Sequence, residues 1–309
     1  MNTALILSPK KITDCLGKSR NPIKKMYMEY IVSLFNNKFT NEDSNETIVQ
    51  FVKDKNIKHV FIMVLFNKEL NNLLLNICNL YYISYDPHNM IKSNLGAYKQ
   101  VFTIGDNIFL KYIYPSVYYN TSVLKWFVNE NDFKININQN VLSFGMSGPL
   151  YPMREIILKN QKKIHPSLVY PNWGDKIIGD ELYKLINANR ITIISAAQYP
   201  YNYMNYKYLE VFMCKSLCFC TYVPALDDYG YIPYVHYIPI DNVYYDIIRN
   251  QRSNLNLITL NKLITYYLDS KNEQKVNDII MNAYNHTLNL FKKEKVLKEC
   301  TESITKFII

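Results

Sequence analysis

Residues 203–241 read YMNYKYLEVFMCKSLCFCTYVPALDDYGYIPYVHYIPID, and the order of patterns along this stretch decides the fold. We predict a helix that carries Lys207 and Glu210, a buried strand over KSLCFC, a loop, and a second strand that ends in HYIPID. Short apolar runs that alternate with helices are typical of parallel sheets covered by helices. The stretch therefore predicts an α/β protein.

The same alternation runs through the rest of the chain. We predict further strands at 3–8, 58–66, 80–85, 100–105, 117–119, 141–145 and 191–195. We predict further helices at 22–36, 46–55, 69–80, 153–163, 181–188, 257–270, 276–293 and 294–309. The pattern indicates parallel sheets with helices on their faces.

A chain of 309 residues is long enough for two domains. The polar, asparagine-rich run NENDFKININQN at 129–140 has no clear period and is the best interdomain linker. We predict an N-terminal domain over 1–128 and a C-terminal domain over 141–290. Residues 291–309 form a last helix that we expect to pack back on the first domain.

Composition describes a globular protein that stays where it is made. Hydrophobic residues make up 49% and charged residues 20%, and no apolar run is long enough to span a bilayer. The start, MNTALILSPKK, does not fit a secretory signal, so we expect a cytoplasmic protein with reduced cysteines. The abundance of Asn, Ile, Lys and Tyr (28 Tyr) indicates an AT-rich genome, such as that of a virus, whose protein would lie in host cytoplasm.

The net charge of +9 fits nucleic acid, an acidic membrane surface, a phosphorylated small ligand, or simply a surface of solvated lysines. The lysines are spread as isolated pairs, and the tyrosines are not interleaved with Arg or Lys as a stacking platform requires. Nucleic-acid binding is therefore the weakest of these interpretations.

A glycine-containing loop, SFGMSGPLYPMR at 143–154, follows one predicted strand and leads into a helix. Backbone N–H groups at such a helix start can bind phosphate, and Gly145 and Gly148 would let the backbone come close. Arg154 in the first helical turn could add a bidentate contact to a diphosphate. The alternative is an ordinary tight turn with a solvated Arg154.

The helix of the opening stretch places Tyr203, Lys207 and Glu210 on one face, at i, i+4 and i+7. A carboxylate beside an ammonium group suits a ligand that carries both hydroxyls and phosphate. The alternative is a surface Lys–Glu ion pair, which is common and contributes little.

Acid–base and metal chemistry have fewer candidates. Asp86 and His88 follow a predicted strand, where α/β sheets place ligands, and either could be a general base or part of an exposed turn. Asp227-Asp228, predicted in a loop, do not converge as a hard divalent ion requires, so no metal site is predicted. His236 is predicted in an apolar strand as a core histidine.

The succession FGMSGPLYPMRE, KYLEVFMCKSLCFCTY, PYVHYIPID and LITYYLDSKNEQKVNDIIMNAYNHT resembles the nucleotide-binding half of GT-B glycosyltransferases. It is most similar to group-1-like transferases related to spore-maturation proteins. The segment KSLCFC…PYVHYIPI also resembles the protein O-glucosyltransferase (capsule-associated) family. The resemblance covers residues 80–295 and is strongest over 140–290.

This resemblance implies two Rossmann-like domains that face a cleft, a nucleotide-diphosphate sugar as donor, a glycan or protein hydroxyl as acceptor, and no metal or other cofactor. The residues that it implies for donor binding are Gly145, Ser147, Gly148, Tyr151, Arg154, Tyr203, Lys207 and Glu210. The candidate catalytic residues are Arg154 of the loop that the resemblance places at the diphosphate, together with Asp86 and His88, which are candidates because they follow a strand.

The sequence also departs from the family pattern. An acidic residue eight positions before the glutamate is replaced by Asn202, and a small residue and glycine after the helix are replaced by Cys214-Lys215-Ser216. A non-catalytic nucleotide- or glycan-binding protein of the same fold is therefore the alternative.

Overall fold

The computed structural model describes residues 4–8, 22–40, 42–63, 68–84, 95–105, 118–130, 132–143, 152–171, 177, 179–195, 204–240 and 255–308. The chain divides into two compact units, one formed by 1–127 with 293–309 and the other by 128–292. Each unit is built around one parallel sheet.

The strands of the first unit are β1 (Ala4–Ser8), β2 (Asn37–Thr40), β3 (His59–Ile62), β4 (Asn79–Ser84), β5 (Gln100–Ile104) and β6 (Thr121–Leu124). The strands of the second unit are β7 (Val141–Ser143), β8 (Leu168–Val169), β9 (Ile191–Ile194), β10 (Leu217–Cys220) and β11 (Ile238–Pro239). Their spatial orders are β2-β1-β3-β4-β5-β6 and β11-β10-β9-β7-β8. In both sheets the second strand of the unit pairs with one side of the first strand, and the third strand is added on the other side.

The helices in chain order are α1 (Pro22–Ser33), α2 (Asn45–Asp54), α3 (Lys68–Leu75), α4 (Pro152–Lys159), α5 (Gln161–Ile164), α6 (Asp180–Asn187), α7 (Tyr206–Met213), α8 (Pro224–Asp228), α9 (Leu257–Leu268), α10 (Glu273–Phe291) and α11 (Lys293–Thr305). Short 3₁₀ turns occupy Leu95–Ala97 and Ser270–Asn272. In the described part of the chain, no helix combines the length and the apolar character needed to cross a bilayer.

The core of the first unit contains stacked aromatic rings among aliphatic side chains. Phe61 and Tyr81, on adjacent strands, stack with their ring centroids 4.5 Å apart, and both rings are fully buried. Helix α11 adds Val296, Cys300 and Ile304, which are spaced by four residues and buried on one face. The C-terminal helix is therefore part of this core.

The core of the second unit is aliphatic and contains strand residues such as Ile191, Ile193 and Leu217 together with Val276 and Ile280 of α10. Cys214, Cys218 and Cys220 are buried free thiols, and Cys78 and Cys300 of the first unit are also free. Buried thiols of this kind pack as small apolar groups, which is the role predicted for the first three.

Three details differ from the sequence prediction. The strand predicted at 117–119 is wrong at residues 118 and 119, because β6 occupies Thr121–Leu124, where Thr121 pairs with Val101, and Tyr119 is exposed. The helix predicted to continue to residue 80 ends at Leu75, because β4 already begins at Asn79. The edge strands β2 and β8 were not predicted at all.

Candidate functional site

The order of strands in the second sheet defines where a ligand fits. The strand β7 lies between β8 and β9, so the chain leaves β7 towards one side of the sheet and leaves β9 towards the other. In parallel sheets, ligands bind at the carboxyl ends of the two strands at such a switch point. Here those ends are Ser143 and Ile194, and the Ser143 hydroxyl donates to the Ile193 carbonyl at 3.4 Å. In the sequence, Ser143 is also the first residue of the glycine-containing stretch, whose residues 144–151 lie outside the described part of the chain.

Helix α7, which follows β9, starts at the same edge of the sheet. The Asn205 side chain accepts a hydrogen bond from the Lys207 backbone N–H at 3.0 Å and caps the helix. The Tyr208 hydroxyl donates to the carbonyl of Thr221 at 2.9 Å, and Thr221 directly follows β10. The first turn of α7, with Lys207, is therefore held at the carboxyl edge of the sheet.

Glu210 lies in the second turn of α7 and is only 7% exposed. This burial argues against the solvated surface ion pair that helical spacing alone allowed. Tyr206 and Cys214, four residues before and after Glu210, lie on the same face of the helix. Helix α6 contacts α7, and its Tyr183 is close to the same carboxylate. A buried carboxylate surrounded by hydroxyl and thiol donors results.

Burial dominates the electrostatics of this cluster. Burial, followed by the nearby Tyr183 and Glu210, raises the pKa of the Tyr206 phenol far above its ordinary value. Burial, and then the Glu210 carboxylate, likewise raise the pKa values of Tyr183 and of the Cys214 thiol. All three groups therefore keep their protons at neutral pH and can act as hydrogen-bond donors to Glu210.

Several of the predicted site residues lie outside the described residues: Asp86, His88, Gly145, Ser147, Gly148, Tyr151 and Tyr203. The backbone of Arg154 is described as the third residue of α4, in its first turn. Its side chain does not belong to the described part of the structure. Helix α7 begins at Tyr206, and the described part of the predicted helical face consists of Lys207 and Glu210.

The departure from the family pattern after this helix has a structural counterpart. Lys215 has a φ of 54°, in the left-handed region that glycine adopts without strain. Its ammonium group lies 4.3 Å from the centre of the Tyr284 ring. Helix α7 therefore ends in the backbone conformation of a glycine-terminated helix. The lysine at this position places its ammonium group over an aromatic ring.

Two predictions outside the cluster are wrong. Asp227 and Asp228 lie in the short helix α8 rather than in a loop, and the Asp227 carboxylate accepts a hydrogen bond from the Tyr222 hydroxyl at 2.6 Å. His236 lies in a turn and not in a strand, because β11 contains only Ile238 and Pro239. Within the described ranges, no group of three His, Cys, Asp or Glu side chains could hold a metal ion.

The turn around His236 forms a second polar cluster that the sequence did not predict. The Nδ1 atom of His236 accepts a hydrogen bond from the Ile232 N–H at 2.8 Å. His286 of α10 bonds through Nε2 to the Tyr229 carbonyl at 2.7 Å, and the two imidazole rings are 4.7 Å apart. Since these histidines are fifty residues apart, only the fold brings them together.

Comparison with known proteins gives similarity in structure and none in sequence. Neither a protein-family model nor a curated protein sequence matches the chain. Anabaena HepE in complex with UDP-glucose superposes with a TM-score of 0.62 at 11% identity, over 98% of this chain and 99% of that one. Sucrose-phosphate synthase from Thermosynechococcus elongatus gives 0.63 at 9%, over 99% of both chains. A glycosyltransferase from Rickettsia africae gives 0.61 at 11%, over 100% and 99%.

The chain has the GT-B fold. Two parallel sheets flanked by helices match those glycosyltransferases over almost their entire length. At 9 to 11% identity the similarity establishes the fold, and the activity has to be argued from the residues.

Proposed function

We propose that the chain is a glycosyltransferase that moves a sugar from a nucleotide-diphosphate donor to a hydroxyl group of a glycan or protein acceptor, without a metal ion. The observation that carries the proposal is the buried carboxylate of Glu210 on α7, next to the switch point of the second sheet. Support also comes from the GT-B neighbours, since HepE was crystallised with UDP-glucose and with UDP and glucose.

In this proposal each part of the donor meets a group of matching chemistry. The two ribose hydroxyls donate to Glu210, a group that can accept several hydrogen bonds at once. The diphosphate lies against backbone N–H groups of the loop with Gly145, Ser147 and Gly148, with Arg154 and Lys207 as the cations. Tyr151 and Tyr203, which flank these segments, complete the donor site.

The transfer step needs a base and a stabilised leaving group. Asp86 or His88 would take the proton of the acceptor hydroxyl as that oxygen attacks the anomeric carbon and the bond to the diphosphate breaks. The negative charge that develops on the diphosphate is offset by Arg154, by Lys207 and by the loop N–H groups. Because fixed cations then do the work of a divalent ion, the proposed reaction proceeds in the presence of a chelator.

A second candidate is a protein that binds the nucleotide sugar without transferring it. It is favoured by Asn202, which stands where related transferases carry an acidic residue. We also propose that the closest relationship is with the group-1-like and spore-maturation-related transferases, on the motifs quoted above.

Donor class is tested with a thermal-shift screen against UDP, GDP, ADP and TDP and their sugars. We expect one diphosphate to raise the melting temperature selectively, and a ligand at one hundred times its Kd stabilises by about 2.7 kcal/mol. A flat response to every nucleotide would exclude both candidate functions.

Catalysis is tested by donor hydrolysis in EDTA, comparing the wild type with Glu210→Gln and Arg154→Ala. We expect both variants to lose most of the rate, because a ribose contact and a cation at the leaving group are removed. Glu181→Gln, at an exposed carboxylate of α6, is the matched control and should retain the rate. Tight nucleotide binding with no hydrolysis by the wild type would favour the binding-only candidate.

A further inference from the structure

We propose that Tyr183 is a positioning residue of the donor site, whose buried hydroxyl orients the Glu210 carboxylate towards the ribose of a bound nucleoside diphosphate. The inference rests on the donor role proposed above for Glu210. Tyr183 belongs to α6, a different helix from Glu210, and no motif in the sequence marks it.

The first observation is that the Tyr183 hydroxyl oxygen is buried and makes no hydrogen bond of acceptable geometry among the residues that the structure describes, although the Tyr206 phenol lies near it. Buried polar groups without a partner are rare in folded proteins, because removing a hydroxyl from water without a new bond is unfavourable. Phenylalanine would fill the same space without this penalty. The hydroxyl therefore needs an explanation other than packing.

The second observation is where the hydroxyl lies. Helices α6 and α7 flank β9 in sequence and contact each other, and after burial it is the Glu210 carboxylate that most raises the pKa of the Tyr183 phenol, so the two side chains are near each other. Glu210 is itself 93% buried by the same surroundings. The unused donor thus lies beside the carboxylate on which the proposed function depends.

The third observation concerns the hydrogen bonds available to that carboxylate. An ionised carboxylate offers about four acceptor sites, and two ribose hydroxyls occupy only some of them. Of the groups that act on this cluster from α6 and α7, Tyr183, Tyr206 and Cys214 are neutral donors, and Asp180 at the start of α6 is a second carboxylate near Tyr183. A hydroxyl donor on α6 can hold the plane of the Glu210 carboxylate in one orientation when a ligand binds. Supporting groups act in this way in binding sites.

The test compares the affinities of two proteins for two nucleotides, so that the effect of one substitution is measured with and without the ribose hydroxyls. Wild type and Tyr183→Phe are titrated with whichever of UDP, GDP and ADP the wild type binds most tightly, and with its 2′,3′-dideoxy analogue. We expect the substitution to weaken the ribonucleotide at least five-fold and the dideoxy analogue less than two-fold. We also expect Tyr183→Phe to raise the melting temperature of the ligand-free protein, because an unpaired buried hydroxyl is removed.

Tyr231→Phe is the control. It removes another buried hydroxyl of the same unit, one that bonds to Thr287 at 2.8 Å, and should leave the ratio of the two affinities unchanged. Equal weakening of both nucleotides by Tyr183→Phe, or no weakening of either, would overturn the positioning role while leaving the transferase proposal intact. Absence of nucleotide binding by the wild type would overturn both.

Discussion

The surroundings of His236 make the stability of the protein depend on pH. Burial, and then the neighbouring His286, lower its pKa from 6.5 to about 4. Between these two values the unfolded chain binds a proton at this position and the folded chain does not, so stability is complete above pH 6.5 and is lost as the pH falls towards 4. Protonation would also remove the acceptor that Nδ1 offers to the Ile232 N–H.

We therefore expect His236→Asn to reduce the acid sensitivity of the protein. The amide oxygen of asparagine can accept the Ile232 N–H as Nδ1 does, but it does not titrate. Melting temperatures measured from pH 7 to pH 4.5 should fall less steeply for the variant than for the wild type. The other histidines with lowered pKa values, His59 and His165, are common to both proteins and cancel in the difference. Parallel curves would show that His236 does not contribute.

At the scale of elements, the interior strands of both sheets were predictable, and of the four edge strands β2, β6, β8 and β11 only β11 was predicted. The strands β3, β4, β5, β9 and β10 are almost entirely buried, so each appears in the sequence as a predominantly apolar run, in which Thr103 and Thr192 are buried polar exceptions. The edge strand β2 is the polar run NKFT, and β8 contains only two residues, one of them exposed. An edge strand has a neighbour on one side only, and its sequence need not be apolar.

In the candidate site too, some residues were predictable from the sequence and others were not. Glu210 was recognised because its helix carries a local motif, and Tyr206 could have been found from its position four residues earlier. Tyr183 and the pair His236–His286 depend on contacts between separate elements, for which a single sequence contains no local signal. What the sequence predicted is therefore the helix, and what it could not predict is the set of groups that the fold places against it.

The end of α7 gives a prediction at the element scale. A non-glycine residue in the left-handed region is strained by about 1 kcal/mol, so Lys215→Gly should relieve strain, but it also removes the contact with Tyr284, worth about 0.5–1 kcal/mol. We expect the substitution to be close to neutral in the wild type. In a Tyr284→Leu background, where the contact is already lost, it should raise the free energy of unfolding by about 1 kcal/mol. Urea denaturation of the four proteins measures this coupling, and equal effects in both backgrounds would contradict it.

At the scale of the whole molecule, each unit has its own core, and we expect damage to one core to remain within its unit. Ile304 of α11 is completely buried in the first unit, although it lies close to the C-terminal end of the chain. Ile280 of α10 is 2% exposed in the second unit. Either residue replaced by alanine should lose about 2–5 kcal/mol of stability through lost burial and the cavity that remains.

Amide hydrogen exchange followed by mass spectrometry separates the two effects. Ile304→Ala should accelerate exchange in peptides from β1 to β6 and in α11, because this helix completes the sheet's core across more than 160 intervening residues of the other unit. Ile280→Ala, a matched substitution in the second core, should accelerate exchange in β7 to β11 instead. If either substitution accelerates exchange equally in both sets of strands, the units unfold as one cooperative body and the separate cores do not define separate folding units. Selective acceleration would mean that the last helix stabilises a sheet whose strands lie between residues 4 and 124, and that truncation after Lys292 would remove stability from that sheet first.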